Sequence, residues 1–269
     1  MKRGNQLIDD INRYHPPRGE AAFWWIGQHS FIIKIAETVC YVDPYLFDSP
    51  DRQIPPLLKP SEVTNATLVL GTHDHGDHID RPSLPGVLQA SPNAKLIVPQ
   101  LLRDRLIDDL KLDGARVLGI DVDLPIEIAG LAINAVPAAH EFLDRDPKTG
   151  LHPFLGFVVQ GNEFCFYHAG DTCIYEGIHA ILRRWPIDLA FLPINGRDAH
   201  RFKNHIIGNM TYQEAADLLG GLDVKLSVPA HYDMFDGNRE DPQKFVDYVK
   251  VKYPDRQVWV GKPTEKVAF

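Results

Sequence analysis

Short runs of apolar and β-branched residues recur along the chain, and turn-forming residues separate them. The first three runs, at 22–26, 30–35 and 39–42, are parted by polar breaks of only three residues each. Such close spacing predicts an antiparallel meander. Further runs of this kind predict strands at 66–70, 94–98, 115–120, 126–128, 131–136, 154–160, 163–168, 187–194, 226–231 and 257–260.

Charged or amphipathic segments lie between several of these runs and predict helices. The segment from Thr211 to Glu214 has the form of a capping box, so it begins a helix that runs to residue 219. Strands alternate with helices in the middle of the chain, which predicts an α/β fold. Neither an internal repeat nor a low-complexity segment divides the chain, so we predict one domain over residues 1–269. The other predicted helices lie at 7–11, 101–110, 175–185 and from 241 onward.

The strand predicted at 66–70 is followed by a segment of unusual chemistry, residues 71–80, with three imidazoles and three carboxylates. His73 and His75, two apart on extended backbone, point to the same side and can reach one ion. Asp77 and His78 follow after a turn that Gly76 permits. A single His-x-His pair is more typical of a polar turn. The full string predicts a metal site of the hydrolytic kind, in which a carboxylate joins the imidazoles.

Three more predicted strands end on side chains that bind metals, namely His140, Asp171 and His231. Each histidine alone is more typical of a hydrogen-bonded surface or core residue. With the first motif they form a consistent set of ligands. Three histidines can hold one ion, a second ion can be held by Asp77, His78 and His231, and Asp171 can bridge the two. Two ions about 3.5–4 Å apart can bind a hydroxide between them and stabilise charge on a carbonyl or phosphoryl oxygen.

This order of residues resembles the metallo-β-lactamase superfamily, whose members share a four-layer αββα sandwich with the metal site at one edge. The segments 72–80, 167–171, 209–211 and 229–231 are similar to the L-ascorbate-6-phosphate lactonase group within it. The resemblance covers almost the whole chain. The residues that carry it are Asp43, His73-x-His75-x-Asp77-His78, His140, Asp171 and His231.

The resemblance implies two divalent metal ions, zinc or manganese, held as two sites. His73, His75 and His140 form the first site, Asp77, His78 and His231 the second, and Asp171 bridges them. It also implies that Asp77 orients the attacking hydroxide.

Two residues near these ligands have roles that the sequence leaves open. We predict that His168 serves as a proton donor or as a partner of a ligand, with a purely structural role as the alternative. Asp43, at the end of the third predicted strand, is a candidate partner of a metal ligand, although such an aspartate more often caps a turn.

The loop after the strand at 187–194 is rich in cations and is the candidate substrate-binding segment. Arg197 offers a bidentate fork suited to phosphate or carboxylate, and Lys203, His200 and Asn195 lie nearby in sequence. The alternative is a solvated surface loop without a ligand.

Composition and charge narrow the function classes. The net charge of −8 argues against a broad nucleic-acid surface, which requires Lys and Arg to neutralise phosphates. No apolar run approaches the ~18 residues that span a bilayer, so no membrane partner is expected. The beginning of the chain predicts a short amphipathic helix rather than a signal peptide, which favours the cytoplasm. The three cysteines have no Cys-x-x-Cys spacing. The sequence leaves open whether the chain forms a homo-oligomer.

The leading hypothesis is a metal-dependent hydrolase that uses a metal-bound hydroxide on a small anionic substrate, a lactone of a sugar phosphate. A metal-dependent phosphodiesterase is the alternative enzyme. A metal-stabilised binding protein without catalysis is the alternative of another class, and the intact ligand set weighs against it.

Overall fold

A computed structural model describes all residues, 1–269, and contains two seven-stranded sheets. None of its helices is both long enough and apolar enough to cross a membrane. The strands are β1 Ala21–Trp25, β2 Phe31–Ile35, β3 Thr38–Val42, β4 Leu68–Leu70, β5 Lys95–Pro99, β6 Val117–Ile120, β7 Ile126–Ile128, β8 Leu131–Pro137, β9 Leu155–Gly161, β10 Phe164–His168, β11 Leu189–Pro193, β12 Leu226–Ala230, β13 Gln257–Val258 and β14 Lys266–Ala268. The helices are α1 Asn5–Arg13, α2 Leu84–Ala90, α3 Arg103–Leu110, α4 Ile178–Leu182, α5 Ala199–Lys203, α6 Tyr212–Gly220 and α7 Pro242–Lys252.

The first sheet has the strand order β14-β1-β2-β3-β4-β5-β6. Strands β1, β2 and β3 pair antiparallel, which confirms the predicted meander. From β3 to β6 the pairing is parallel, because helices or longer loops return the chain between strands. The carboxyl ends of β3 and β4 therefore lie side by side at one edge.

The second sheet has the order β13-β12-β11-β10-β9-β8-β7. Strands β10, β11, β12 and β13 are parallel, while β9 is antiparallel to both β8 and β10. Because both are antiparallel to β9, β8 and β10 run in the same direction. The carboxyl ends of β8, β10, β11 and β12 consequently meet at one edge of this sheet.

The core lies between the sheets and beneath the helices on each outer face. A cluster of 46 buried residues joins both sheets to α4, α6 and α7, and includes the aromatic pair Phe31 and Phe191 with ring centroids 4.1 Å apart. A second cluster of 24 buried residues packs α1, α2 and α3 on the first sheet around Trp24 and Tyr41. The layers are thus helices, sheet, sheet and helices, which confirms the predicted αββα sandwich.

Several predicted elements differ from the structure. The helix predicted at 175–185 is only the short α4, and residues 114–116 form a 3-10 helix before β6. Three elements were not predicted, namely α2, α5 and the edge strand β14, which pairs with β1. The capping box is confirmed, since Thr211 Oγ1 accepts from the Glu214 N–H at 3.2 Å and Glu214 Oε2 accepts from the Thr211 N–H at 2.9 Å.

Candidate metal centre

The loops that leave the two sheets at their facing carboxyl edges bring the sequence-predicted ligands together. The segment 71–80 follows β4, and the loops after β8, β10 and β12 carry His140, Asp171 and His231. Asp43 follows β3 at the same edge. Strand direction explains this convergence, because parallel strands deliver their exits to one side of a sheet.

Three imidazoles form one half of the cluster. The Nε2 atom of His73 lies 3.0 Å from His75 Nδ1, and His140 Nε2 lies 3.3 Å from the same His75 atom. His73 and His140 are buried, whereas His75 is exposed to solvent. Phe154 packs against this group, with its ring centroid 5.5 Å from that of His73 and 5.2 Å from that of His140. The three nitrogens could hold one ion.

The other half of the cluster combines two imidazoles and a carboxylate. Asp77 Oδ2 lies 3.5 Å from both His78 Nε2 and His231 Nε2. Asp171 lies between the two halves: its Oδ1 is 3.3 Å from His78 Nε2, and its Oδ2 is 3.2 Å from His231 Nε2 and 3.9 Å from His140 Nε2. The position of Asp171 is therefore suited to a bridging ligand.

The donor set fits divalent metal ions. The buried atoms His78 Nε2 and Asp171 Oδ1 have no hydrogen-bond partner in the protein. Buried polar atoms without a partner are costly, and a functional ion is one of the few reasons to keep them. Imidazole and carboxylate together suit zinc and manganese.

Two imidazoles of the first half, His73 and His140, are held neutral. Burial lowers the pKa of His73 well below its ordinary value, although Asp171 opposes this shift. Burial likewise lowers the pKa of His140 to about 4. Neutral imidazole is the form that ligates metals, so these side chains are ready to bind at neutral pH.

The second half is a network of opposite charges. Burial raises the pKa of Asp77 and Asp171, but the nearby His78 and His231 outweigh it and hold both carboxyl pKa values below their usual range. Burial alone would lower the pKa of His231, but Asp171 and Asp77 outweigh it and raise this pKa to about 9. An ion at this site would replace a proton on His231, which makes metal binding release protons.

A buried relay orients two of the imidazoles. His78 Nδ1 donates to Asp43 Oδ2 at 2.6 Å. The hydroxyl of Thr72 also donates to Asp43 Oδ2, at 2.8 Å. Because a hydroxyl has a single proton, the Thr72 oxygen must accept from His73 Nδ1, which lies 3.0 Å away. Both rings therefore present Nε2 to the cluster. Asp43 has the contact predicted for a partner of a ligand, whereas the role of Thr72 was not predicted.

The turn between β1 and β2 brings two further residues to the cluster that sequence reasoning missed. Gln28 Nε2 donates to Asp77 Oδ2 at 2.8 Å and lies 3.0 Å from His231 Nε2. His29 is fully buried, and its Nδ1 lies 3.8 Å from Asp171 Oδ1. The available signal was a Gln-His pair in a turn between two strongly apolar strands.

The contacts of His168 favour the structural alternative over the proton donor. The residue is fully buried, its Nε2 donates to the backbone oxygen of His29 at 2.9 Å, and its Nδ1 accepts from the Gly170 N–H at 3.3 Å. Both ring nitrogens are thus engaged with backbone. Its ring stacks on that of His29 with centroids 4.0 Å apart, so it supports the turn that carries Gln28.

Asn195 is likewise buried and bonded to side chains of its own chain. It is fully buried, its amide nitrogen donates to Asn238 at 2.8 Å, and its oxygen accepts from Asn209 at 3.1 Å. These contacts fix the loops after β11 and β12 to each other. These contacts favour a structural role for Asn195 over the predicted substrate contact.

The predicted cationic anchor, Arg197, also has a partner within its own chain. Arg197 donates from both terminal nitrogens to Glu214, at 2.6 Å each, and so faces a carboxylate of its own chain. His200 and Lys203 are exposed on α5, and neither lines the cavity described below. Substrate binding by these three side chains stays a prediction, and the pairing of Arg197 with Glu214 weighs against it because the strongest donor already has an anionic partner.

A family comparison now agrees with this geometry. The sequence model described as the beta-lactamase superfamily domain matches residues 40–232, well over half of the chain, from the end of β3 to just beyond His231. The chain belongs to the beta-lactamase superfamily. The matched range contains all seven proposed ligands, whereas Gln28 and His29 lie outside it.

Relatives within the beta-lactamase superfamily cover nearly the whole chain. A UPF0173 metal-dependent hydrolase of Metallosphaera sedula is 29% identical over 228 residues, which is 85% of this chain and 91% of the relative. Another of Pyrococcus abyssi is 29% identical over 244 residues, 90% of this chain and 97% of the relative. The solved structure of a metallo hydrolase from Ignicoccus hospitalis, 23% identical, superposes with a TM-score of 0.73 over 93% of this chain and 98% of that chain. This last likeness supports the fold.

Proposed function

We propose that the chain, a metal-dependent hydrolase of the metallo-β-lactamase fold, cleaves the carbonyl ester bond of a small ester or lactone. The observation that carries this proposal is the convergence of three imidazole nitrogens with the group Asp77, His78 and His231, with Asp171 between the two halves. The names of the relatives, metal-dependent hydrolases, support the same reaction class.

His73, His75 and His140 would hold one ion, Asp77, His78 and His231 the other, and Asp171 would bridge them. Bound divalent ions would supply a nucleophile from water at neutral pH and stabilise the negative charge that develops on the carbonyl oxygen.

The side chains of this chain prepare the site for that chemistry. Asp77 is partly exposed, and its low pKa keeps it ionised, so it can accept a hydrogen bond from the attacking water. Gln28 fixes the orientation of that carboxylate. In the reaction the water oxygen bonds to the carbonyl carbon, the carbon–oxygen ester bond breaks, and the leaving oxygen takes the proton that the attacking water loses.

The paired state of Arg197 supports a neutral ester or lactone over the sugar-phosphate lactone suggested by resemblance. A phosphate would compete with Glu214 for the same guanidinium. The cytoplasmic location and the absence of a membrane partner remain expectations within this proposal. The net charge of −8 argues against a nucleic-acid partner.

The test is a metal analysis of the purified chain followed by one substrate panel. The panel compares neutral lactones and esters, sugar-phosphate lactones, and bis-aryl phosphodiesters, before and after chelation. We expect chelator-sensitive hydrolysis that is fastest on the neutral carbonyl compounds. Preference for phosphodiesters would replace the proposal with a phosphodiesterase. Two bound ions without any turnover would favour a metal-stabilised binding protein.

A further inference from the structure

A cavity of about 450 Å³ is lined in part by Glu141, the residue that follows the proposed ligand His140. Two segments form its wall, the start of the loop after His140 and the segment after β11 that includes α5. We call it the side cavity. Its lining residues are Glu141, Phe142, Arg197, Asp198, Ala199, Phe202, Ile206, Ile207 and Gly208.

Residues that line the side cavity are joined to the loops of the metal centre by sequence and by hydrogen bonds. Glu141 directly follows the proposed ligand His140, and consecutive Cα atoms lie only about 3.8 Å apart. On the other wall, the oxygen of Gly208 accepts from Cys173 Sγ at 3.6 Å. Cys173 follows Asp171 by two residues and pairs with Ala139. A molecule that fills this cavity can therefore place one end near the metal cluster.

The wall of the side cavity is apolar and exposed. Phe142, Phe202 and Ile207 keep 66%, 74% and 43% of their surface accessible, and they are three of the nine large hydrophobic residues exposed in the whole chain. Apolar groups left open around one concavity beside a reactive centre typify a ligand site, because folding gains nothing from their exposure.

The charges on the wall exclude an anionic occupant. Arg197 is paired with Glu214. Asp198 accepts from the backbone N–H groups of His200 and Arg201, at 2.9 Å each, and pairs with the Arg201 side chain. Glu141 forms no ion pair. The one uncompensated charge on the wall is thus negative, which repels phosphate and carboxylate and leaves uncharged apolar groups as the complementary ligand.

We propose that the side cavity binds the apolar acyl chain of a neutral ester or lactone and so selects medium-chain substrates for the adjoining metal centre. This inference rests on the proposed function for the reacting end of the substrate. Binding of an apolar chain in the side cavity depends only on the exposed apolar wall and its charges.

The test compares p-nitrophenyl acetate, butyrate and octanoate with the wild-type chain and with Phe142→Ser/Phe202→Ser. Each fully buried methylene is worth up to about fourfold in binding, so kcat/KM should rise at least about tenfold from acetate to octanoate. The double variant should lose most of that rise while its value for acetate stays within about twofold. Both phenylalanines are largely exposed, so their replacement leaves the core intact.

Val251→Ser is the matched control, because Val251 is 86% exposed on α7 and does not line the side cavity. It should keep the chain-length dependence of the wild type. A flat or falling dependence in the wild type would overturn the inference, as would an equal loss on acetate and octanoate in the double variant.

Binding of 2-decanone and 2-butanone, ketones that cannot be hydrolysed, separates this inference from the proposed function. In calorimetry 2-decanone should bind at least about tenfold more tightly than 2-butanone, and the double variant should remove the difference. If that result is obtained while no ester is cleaved, the proposed function fails and the cavity assignment stands. Equal binding of the two ketones overturns the assignment.

Discussion

Asp43 accepts a hydrogen bond from Nδ1 of His78 at 2.6 Å, in a fully buried pair that lies directly behind the proposed second metal site. Because the carboxylate can only accept, it fixes the tautomer of the ring and leaves Nε2 free to face the cluster. The same carboxylate reaches His73 through Thr72. One residue thus orients ligands of both proposed ions.

We expect Asp43→Asn to weaken metal binding by about 10–100-fold, because outer partners that orient ligands contribute this much to affinity. Asparagine tolerates the positive φ of 46° at this position. Competition with a chelating dye measures the change.

A second buried pair supplies the control for that variant. His152 Nδ1 lies 2.7 Å from Asp121, and neither residue belongs to the metal cluster. Asp121→Asn should cost stability but leave metal affinity unchanged. Equal weakening by both variants would show that Asp43 acts only through general stability.

Gln28→Asn should weaken binding of the second ion about tenfold and leave the affinity for the first ion unchanged, because the shorter amide cannot reach Asp77 and His231. Asparagine also accepts the φ of 53° found at this turn. Two-step calorimetric titration with zinc or manganese resolves the two affinities. Equal changes at both sites, or none at either, would remove Gln28 from the second site.

The loops that carry the proposed ligands were predictable, because each follows an apolar run that predicts a strand. Strand direction then places these loops at a common edge. Gln28 and His29 were not predicted, because the short turn that carries them has no periodicity and their contacts lie far away in sequence. The pairing of Arg197 with Glu214, 17 residues away, arises only when α6 packs beside the loop after β11. Helix α5 has five residues, too few to produce a periodic signal.

His168→Gln should retain hydrolysis within about threefold at pH 7.5, because the ring serves the backbone rather than the substrate and glutamine can replace the Nε2 donor. A large loss of activity with unchanged metal content would restore the proton-donor role.

The same variant should alter the pH dependence of stability. Burial, reinforced by His29, lowers the pKa of His168 to about 3 in the folded chain. The unfolded chain with a pKa near 6.5 therefore binds more protons between those values, so stability is lost as pH falls below about 6.5. Urea unfolding of the metal-free chain at pH 7.5 and 5 should show a slope reduced by up to about 1.4 kcal/mol per pH unit in His168→Gln. An unchanged slope would contradict the buried neutral state.

Removing the Arg197 pair without leaving a lone charge tests whether this arginine anchors a substrate. We expect Arg197→Met/Glu214→Gln to lower the free energy of unfolding by about 1 kcal/mol or less, since both side chains are partly exposed. The KM for a phosphorylated lactone should change less than about twofold.

Lys252→Met/Asp217→Asn is the control pair, an exposed ion pair between α7 and α6. A rise in KM of more than about tenfold, seen with the Arg197 variant alone, would reinstate Arg197 as a substrate anchor.

We propose that the two halves of the cluster hold two divalent ions on which hydrolysis depends. The rate of ester hydrolysis, measured as zinc or manganese is titrated into the metal-free chain, tests this directly. We expect no activity without metal and a rise that saturates at two equivalents. Full activity of the metal-free chain, or saturation without any hydrolysis, would contradict it.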